Sequence, residues 1–295
     1  MKVGLSVLGI GAGTTAEAIA TIAVHAERLG FATLYGVEHV TFVMGASSRY
    51  PYSDTGAPPG SINLPVFDPW PTLAYAAALT KRIRLGTGIA LVPEHHPLAL
   101  AKTIATVDQL SGGRVMLGVG IGWLEEEFQA LGIPWQRRAQ RTCEYIEAMR
   151  RLWSDEVTSF HGEFVHFDKA ISFPKPLLKE KLPVIFGGNT PAALRRVAKH
   201  GSGWYGLGYT PDSLAAPLQA LRETIAGSNR KAEEVEVIVG PSARQPSSDD
   251  FKKFRDRGVS ELVIGPWGPR HDAQEHIKRL EDMARNWVEP INALS

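Results

Sequence analysis

The sequence predicts an α/β protein, a (β/α)8 TIM barrel with inserted loops over its C-terminal face. Short apolar runs alternate with amphipathic stretches along all 295 residues. The runs are apolar at nearly every position, which is typical of parallel strands buried on both faces. Eight such units follow one another without a break in composition, and this favours a closed barrel over an open doubly wound sheet. The open sheet is the alternative, but a glycine-rich first turn alone supports it only weakly.

The predicted strands are short and occupy residues 3–8, 33–37, 83–90, 115–119, 184–186, 203–207, 235–239 and 261–264. The predicted helices occupy residues 16–29, 71–80, 99–109, 143–153, 192–199, 213–225, 249–257 and 274–285. Glycines just beyond two of these helices, Gly30 and Gly112, are typical C-terminal helix signals. We therefore expect a single barrel domain spanning residues 1–295.

Two segments interrupt this alternation. Residues 41–67 are rich in Gly, Pro and Ser and follow the second strand, so in a barrel they would overhang the C-terminal face. Residues 154–182 form the other, in which 157–167 alternate apolar and polar side chains as a small hairpin does. We interpret both segments as covers over the barrel mouth. The alternative is that they are surface loops without a function, and this alternative is stronger for the second segment.

Composition excludes several functional classes. The chain is 44% hydrophobic and 21% charged with a net charge of +1, which gives no reason to expect nucleic acid or a membrane as a partner. No apolar run approaches the roughly 20 residues that span a bilayer, and the N-terminus resembles a strand rather than a signal peptide. The single cysteine, Cys143, is interpreted as a structural thiol. We expect a cytoplasmic protein without a metal site, since the histidines show no metal-binding spacing.

A turn after the fifth strand has the features of an anion site. Gly187, Gly188, Asn189, Thr190 and Pro191 leave a short apolar run and open a helix. Bare glycines at a strand end let a ligand approach the main chain, and a helix N-terminus offers unpaired N–H groups to an anion. The turn therefore predicts a site for a phosphorylated cofactor or substrate.

A second turn, after the fourth strand, contains Ile121, Gly122 and Trp123 and opens an acidic helix with Glu126 in its first turn. Acidic residues there suit the helix dipole, whereas a tryptophan at a barrel mouth can stack on a planar cofactor. Three nearby arginines could bind an anionic cofactor tail or pair with the acidic turn: Arg137, Arg138 and Arg141.

Glu38 and His39 end the second strand, where catalytic side chains of barrels project. A carboxylate beside an imidazole can set its tautomer and raise its basicity. The alternative is that the two point in opposite directions and one only packs. The pair His95-His96 is interpreted as the entry to a helix at Pro97 rather than as metal ligands.

The run Leu110 to Trp123 (LSGGRVMLGVGIGW) resembles the bacterial luciferase-like monooxygenase family, and within it the branch that uses the deazaflavin coenzyme F420. Residues 85–89, 96–97 and 187–196 add to the similarity, which spans about residues 3–208. The resemblance implies a ring standing in the barrel mouth, a non-prolyl cis peptide at Gly88–Ile89 behind it, and the cofactor phosphate on Gly187, Gly188 and Thr190.

The resemblance also implies that Glu38 contacts the cofactor while His39 moves the substrate proton, so both are predicted catalytic residues. The predicted cofactor-binding residues are Glu38, Gly88, Ile89, Leu91, Ile121, Gly122, Trp123, Glu126, Gly187, Gly188, Asn189, Thr190 and Pro191. The sugar-phosphate dehydrogenases of that branch have a glutamate where this chain has Trp123. An apolar-to-mixed small substrate under residues 41–67 is therefore favoured over a sugar phosphate.

These features predict an F420-dependent oxidoreductase that transfers hydride between an organic substrate and the deazaflavin ring, assembled by resemblance as a homodimer. The first alternative is an FMNH2-dependent monooxygenase, because the two tricyclic rings share their shape. Two others stay open: a barrel aldolase or isomerase that binds only a phosphorylated substrate, and a non-catalytic flavin-binding protein.

Overall fold

The structure, a computed structural model, is a closed parallel β-barrel surrounded by helices, and the predicted fold class is confirmed. It describes residues 1–11, 13–58, 60–228, 230–242, 246–265 and 273–292. Among these residues, no helix has the length and apolar composition needed to cross a membrane.

The strands are β1 (Lys2–Leu8), β2 (Thr33–Gly36), β3 (Arg84–Thr87), β4 (Ala90–Leu91), β5 (Val115–Gly120), β6 (Thr158–His161), β7 (His166–Ala170), β8 (Val184–Gly187), β9 (Gly203–Tyr209), β10 (Glu236–Pro241) and β11 (Glu261–Ile264). The helices are α1 (Ala16–Arg28), α2 (Pro69–Leu79), α3 (Pro97–Ser111), α4 (Glu125–Ala130), α5 (Arg138–Ser154), α6 (Pro191–His200), α7 (Ala215–Ala226), α8 (Ser248–Asp256), α9 (Ala273–Met283) and α10 (Glu289–Asn292), with a π-helical turn at Ala284–Val288 between the last two.

The barrel closes through the pairing of β3 with β5. Its strand order is β3-β2-β1-β11-β10-β9-β8-β5-β4, all parallel. The strand predicted at residues 83–90 is divided into β3 and β4, and the peptide bond between them, Gly88–Ile89, is cis as expected. Both halves pair with β5, so together they occupy one of the eight strand positions of the barrel.

The barrel interior is filled by side chains from alternate positions of the strands: Tyr35, Met116, Ile185, Tyr205, Ile238 and Val263, with Ile89 and Leu207 packed against them. Below this layer the Tyr35 hydroxyl donates to Oε1 of Glu261 over 3.1 Å, and Arg84 forms ion pairs with Glu236 and Glu261. Because the barrel interior is packed and closed at this end, a ligand of the barrel itself would enter from the opposite, C-terminal end.

Helix α5 begins at Arg138, five residues before the start that the apolar pattern predicts. The reason is the buried side chain of Arg141, which donates from Nη2 to the carbonyl oxygens of Pro134 and Gln136. The guanidinium thereby anchors the chain that enters the helix. The predicted start was wrong because the prediction relied on apolar periodicity, and hydrogen bonds from a polar side chain produce no such pattern in the sequence.

Residues 158–170 form the expected hairpin, β6 and β7, which packs along α5. The Glu144 carboxylate on α5 accepts hydrogen bonds from the amides of Phe164 and Val165 in its turn. The loop between β2 and α2 instead contacts the start of α4, where Ser47 N donates to Oε1 of Glu126. Its last part returns to the first βα turn, where Phe67 N donates to Gly9 O over 2.9 Å. Of the two covers predicted, the loop at residues 41–67 is therefore the one tied to the barrel mouth.

Candidate active site

A chain of three side chains stands at the C-terminal end of the barrel. The Nδ1 atom of His39 lies 2.8 Å from Oε2 of Glu127, which is fully buried at the start of α4. The other ring nitrogen, Nε2, lies 3.3 Å from the indole Nε1 of Trp123. Since the indole N–H only donates, His39 Nε2 accepts and Nδ1 carries the proton given to Glu127. A buried carboxylate thus fixes one imidazole tautomer.

Glu127 also holds the backbone that follows His39. Its Oε1 accepts from the amides of Val40 and Thr41 over 2.6 and 3.0 Å. The same carboxylate therefore orients the imidazole and fixes the start of the covering loop. The sequence interpretation, in which the acidic turn only complements the helix dipole, missed this contact because its partners are 86–88 residues away.

Glu38 and His39 do not pair with each other, which corrects the prediction that Glu38 sets the His39 tautomer. Successive residues of an extended chain point to opposite sides, and Glu38 turns toward β4. Its carboxylate accepts from the Leu91 amide over 2.5 Å and from Nε2 of His95 over 2.9 Å. Burial lowers the pKa of His95, but the hydrogen bond and charge of Glu38 outweigh burial, so the pKa is raised.

A third carboxyl group, that of Glu94, is buried beside these two pairs. It is 8% exposed, and neither of its oxygens has a hydrogen-bond partner among the described residues. A Cβ placed on Gly122 would lie 3.4 Å from its Oε1, which locates the group at the turn after β5. Burial raises the pKa of Glu94 to about 9, with the charges of Glu127 and Glu38 adding to the effect. Glu94 is thus a neutral acid at pH 7.

Aromatic rings from the covering loop enclose His39 and Trp123. The Phe42 ring lies 4.5 Å from the His39 ring between centroids, and the Tyr50 ring stands edge-on to Trp123 at 5.3 Å. Glu126 fastens this part of the loop, since its Oε1 accepts from the amides of Ser47 and Ser48. Hydrogen bonds from the Ser48 side chain and the Ser47 amide lower the pKa of Glu126 to about 2. Predicted as a cofactor contact, Glu126 serves here as the anchor of the loop.

The three arginines near the mouth do not form the ion pairs with Glu125–Glu127 that one interpretation expected. Arg137 pairs with Glu163 on the hairpin, and Arg141 binds backbone carbonyls. Arg138 packs its guanidinium 3.4 Å from the centroid of the Trp135 ring and donates from Nε to Gly122 O. Only Arg138 of the three therefore touches the backbone of the predicted cofactor turn.

The turn at the start of α6 has the geometry predicted for an anion site. Gly188 has φ +108°, a conformation that favours glycine, and Thr190 caps α6 by accepting from Ala193 N over 3.2 Å. Asn189 donates from Nδ2 to Leu207 O over 2.9 Å. In the described part of the chain, the amides of Gly188, Asn189 and Thr190 have no hydrogen-bond acceptor, and Asn189 Oδ1 has no donor. These amides are available to a phosphate.

The glycines that end β5 and β8 leave room for the side chain of Ile89. A Cβ on Gly120 would lie 2.5 Å from Cδ1 of Ile89, and one on Gly187 would lie 2.9 Å from the same atom. The Ile89 side chain, which follows the cis peptide, thus lies across both strands and closes the top of the packed interior. Its half-buried surface is the floor of the mouth.

Residues 5–250 match the luciferase-like monooxygenase family. The chain belongs to this family. An uncharacterised protein of Mycobacterium tuberculosis is 35% identical over 95% of this chain and 97% of its own length. The FMNH2-dependent dimethylsulfone monooxygenase of Pseudomonas putida is 38% identical over 45% of this chain and 38% of that protein. The coenzyme F420-dependent tetrahydromethanopterin reductase of Methanopyrus kandleri superposes with a TM-score of 0.76 over 98% of both chains at 17% identity, a likeness of fold.

The residues of this luciferase-like protein fit a phosphorylated tricyclic cofactor. The amides at 188–190, which have no acceptor in the described part of the chain, suit its phosphate. The unpartnered Glu94 and Asn189 oxygens offer hydrogen bonds to its polar edges. Sequence reasoning missed Glu94, His95 and Glu127. His95 stands in the pair interpreted as a helix entry, and Glu94 was not singled out; both lie in the short segment between β4 and α3.

Proposed function

We propose that this protein is an F420-dependent oxidoreductase that transfers a hydride between an organic substrate and the deazaflavin ring. The observation that carries the proposal is the hydrogen-bonded chain from Glu127 through His39 to Trp123 at the barrel mouth. A histidine with a fixed tautomer is what a dehydrogenase needs for the proton that accompanies hydride transfer. The deazaflavin supplies the carbon that accepts or releases the hydride.

The residues of the mouth divide the remaining tasks. The amides of Gly188, Asn189 and Thr190 hold the phosphate, and Ile89 and Trp123 position the ring. The substrate lies under the covering loop, beside Phe42 and Tyr50, where aromatic surface favours an apolar or mixed molecule and excludes water.

His39 takes the substrate proton at Nε2 once the Trp123 N–H has released that nitrogen. Glu127 keeps Nδ1 protonated and stabilises the imidazolium that results. Glu94, a neutral acid, donates a hydrogen bond to the ring from beside Gly122. In this role it supplies a carboxyl group near the position where sugar-phosphate dehydrogenases of the F420 branch have a glutamate and this chain has Trp123.

The second candidate is an FMNH2-dependent monooxygenase. It is favoured by the match to the FMNH2-dependent dimethylsulfone monooxygenase, which covers 45% of this chain. The mouth residues that would hold a deazaflavin would hold an isoalloxazine equally well. The difference lies in the chemistry, since the monooxygenase consumes oxygen and the dehydrogenase does not.

The test is a paired titration. Apoprotein is titrated with F420 and with FMN under argon, and cofactor affinity is measured by calorimetry. We expect F420 to bind more tightly, and His39→Gln to keep that affinity while abolishing turnover with alcohols or aldehydes. Glu125→Gln, at the same helix turn as Glu127, is the matched control and should retain turnover. Binding of FMN alone, together with oxygen uptake by the FMNH2-loaded protein, would establish the second candidate instead.

A further inference from the structure

The hairpin of β6 and β7 brings three side chains with metal-binding atoms onto one face. His161 lies directly opposite His166 in the antiparallel register, and Asp168 follows two residues later on β7. Residues opposite each other and residues two apart share a face of a β-ladder. Phe160 and Phe167 occupy the other face, where their rings stack at 6.1 Å between centroids. The polar face is therefore left to solvent.

The donor atoms of these side chains are close enough to share one ion. The two Nδ1 atoms are 3.1 Å apart. Nε2 of His161 lies 3.2 Å from Oδ1 of Asp168, and Nε2 of His166 lies 3.5 Å from Oδ2. One donor atom of each residue lies within 4.8 Å of the other two. Ligands held at roughly 2.0–2.2 Å from one ion stand about 3–4 Å apart, so small rotations complete the set.

We propose that His161, His166 and Asp168 bind one divalent transition-metal ion, with water completing its coordination. Two imidazoles and one carboxylate suit zinc, copper or nickel, whereas magnesium and calcium prefer oxygen ligands. The side chains are more than half exposed, at 58%, 62% and 60%, so they are open to an ion from solvent and gain little stability from their mutual contacts. The sequence analysis expected no metal site, because the pairing of residues 161 and 166 exists only in the folded hairpin.

The bound ion would join the two strands of the hairpin next to its turn. Glu144 on α5 already holds that turn by the amides of Phe164 and Val165, and Arg137 pairs with Glu163 there. An ion at this position stabilises the hairpin against opening by binding the folded form alone. The proposal is independent of the proposed function, since none of the three ligands belongs to the barrel mouth.

The test is calorimetric titration of untagged, metal-free protein with zinc chloride and, separately, with magnesium chloride. We expect one equivalent of zinc to bind and magnesium not to bind. His161→Ala, His166→Ala and Asp168→Asn should each weaken zinc binding by at least the roughly 10–100-fold that loss of an outer-shell partner costs. The matched control is His96→Asn, a change at an exposed histidine that caps α3 without a side-chain hydrogen bond.

Three outcomes would overturn the proposal: no zinc binding by the wild-type protein, equal binding by the double variant His161→Ala/His166→Ala, or an equal loss in His96→Asn. Circular dichroism of each variant shows whether the fold is kept, which is expected because the changes are at exposed positions. Zinc binding that weakens in mildly acidic buffer supports imidazole ligation, because the ligands must lose their protons.

Discussion

The indole N–H of Trp123 donates to Nε2 of His39 over 3.3 Å, while Nδ1 of the same ring is bound to Glu127. The ring nitrogen that could accept a substrate proton is therefore engaged by a residue that also forms a wall of the mouth. In the proposed mechanism, a ligand that enters beside Trp123 displaces this hydrogen bond before His39 accepts a proton. Cofactor binding and release of the base would then be coupled through one side chain.

Two substitutions of Trp123 distinguish the contribution of its aromatic ring to cofactor binding from that of its N–H group. Trp123→Phe keeps an aromatic wall, so we expect the affinity for F420 to stay within about threefold. Trp123→Ala should weaken it by about tenfold, since aromatic contacts are worth roughly 0.5–1.5 kcal/mol beyond their buried area. Calorimetric titration of both variants measures the difference. Equal affinities in the Phe and Ala variants would show that the indole does not flank the ring.

Glu127→Gln tests the tautomer of His39. The amide oxygen can still accept from Val40 and Thr41, so the loop should keep its place. The amide nitrogen, however, donates toward Nδ1 and forces the imidazole proton onto Nε2, where no substrate proton can then be accepted. We expect the single-turnover rate to fall roughly 10²–10⁴-fold, the contribution typical of general acid–base catalysis.

The cofactor affinity of Glu127→Gln should stay within a few-fold of wild type, because only the base is altered. Glu125→Gln on the same helix turn is the control for a lost charge and should turn over normally. If Glu127→Gln turned over at the same rate as the control, the proposal that Glu127 sets the tautomer of His39 for catalysis would be wrong.

The fold could be predicted because each barrel strand is a local apolar run, and local runs are visible in the sequence. Seven of the eight predicted strands match an uninterrupted strand, and the remaining one, predicted at residues 83–90, is divided at Gly88–Ile89. Periodicity cannot show such a division, since the side chains on both halves keep the same apolar character. The early start of α5 was likewise hidden, because it depends on hydrogen bonds of Arg141.

The candidate site could be predicted only in part. Position at a strand end identified His39, Trp123 and the turn at Gly188, whereas their partners are set by tertiary contacts. His39 binds a carboxylate 88 residues away, and Glu38 binds an imidazole 57 residues away. The sequence interpretation therefore paired the adjacent residues Glu38 and His39 with each other. In the structure, each of them contacts a residue that is distant in the sequence.

Thr190 is expected to serve both the helix and the cofactor. Its hydroxyl accepts from Ala193 N, and loss of such a cap in Thr190→Ala should lower the free energy of unfolding of the apoprotein by about 1 kcal/mol. The affinity for F420 should fall roughly 10- to 150-fold, since a hydrogen bond to a charged group is worth roughly 1.5–3 kcal/mol. Urea unfolding and calorimetry measure the two effects separately.

Thr190→Ser retains the hydroxyl and is the matched control for both measurements. If Thr190→Ala loses stability but binds F420 like the serine variant, the phosphate lies elsewhere. If both variants bind normally and the apoprotein is equally stable, the cap itself has no measurable role.

Glu94 makes stability depend on pH in a direction that its environment fixes. Burial raises its pKa from 4.5 to about 9 in the folded protein, so between these values the folded state keeps a proton that the unfolded state has lost. The free energy of unfolding of the wild type therefore falls as pH rises through this window. Glu94→Gln carries no such proton, so its stability relative to wild type should rise with pH and level off above pH about 9.

Urea unfolding of the apoprotein at a series of pH values measures this difference, with Glu17→Gln on the exposed first turn of α1 as the control for removal of an ordinary carboxylate. The control should follow the wild-type curve over the same range. Parallel curves for Glu94→Gln and the wild type would mean that Glu94 is ionised in the folded protein, and its proposed hydrogen bond to the cofactor ring as a neutral acid would then be wrong.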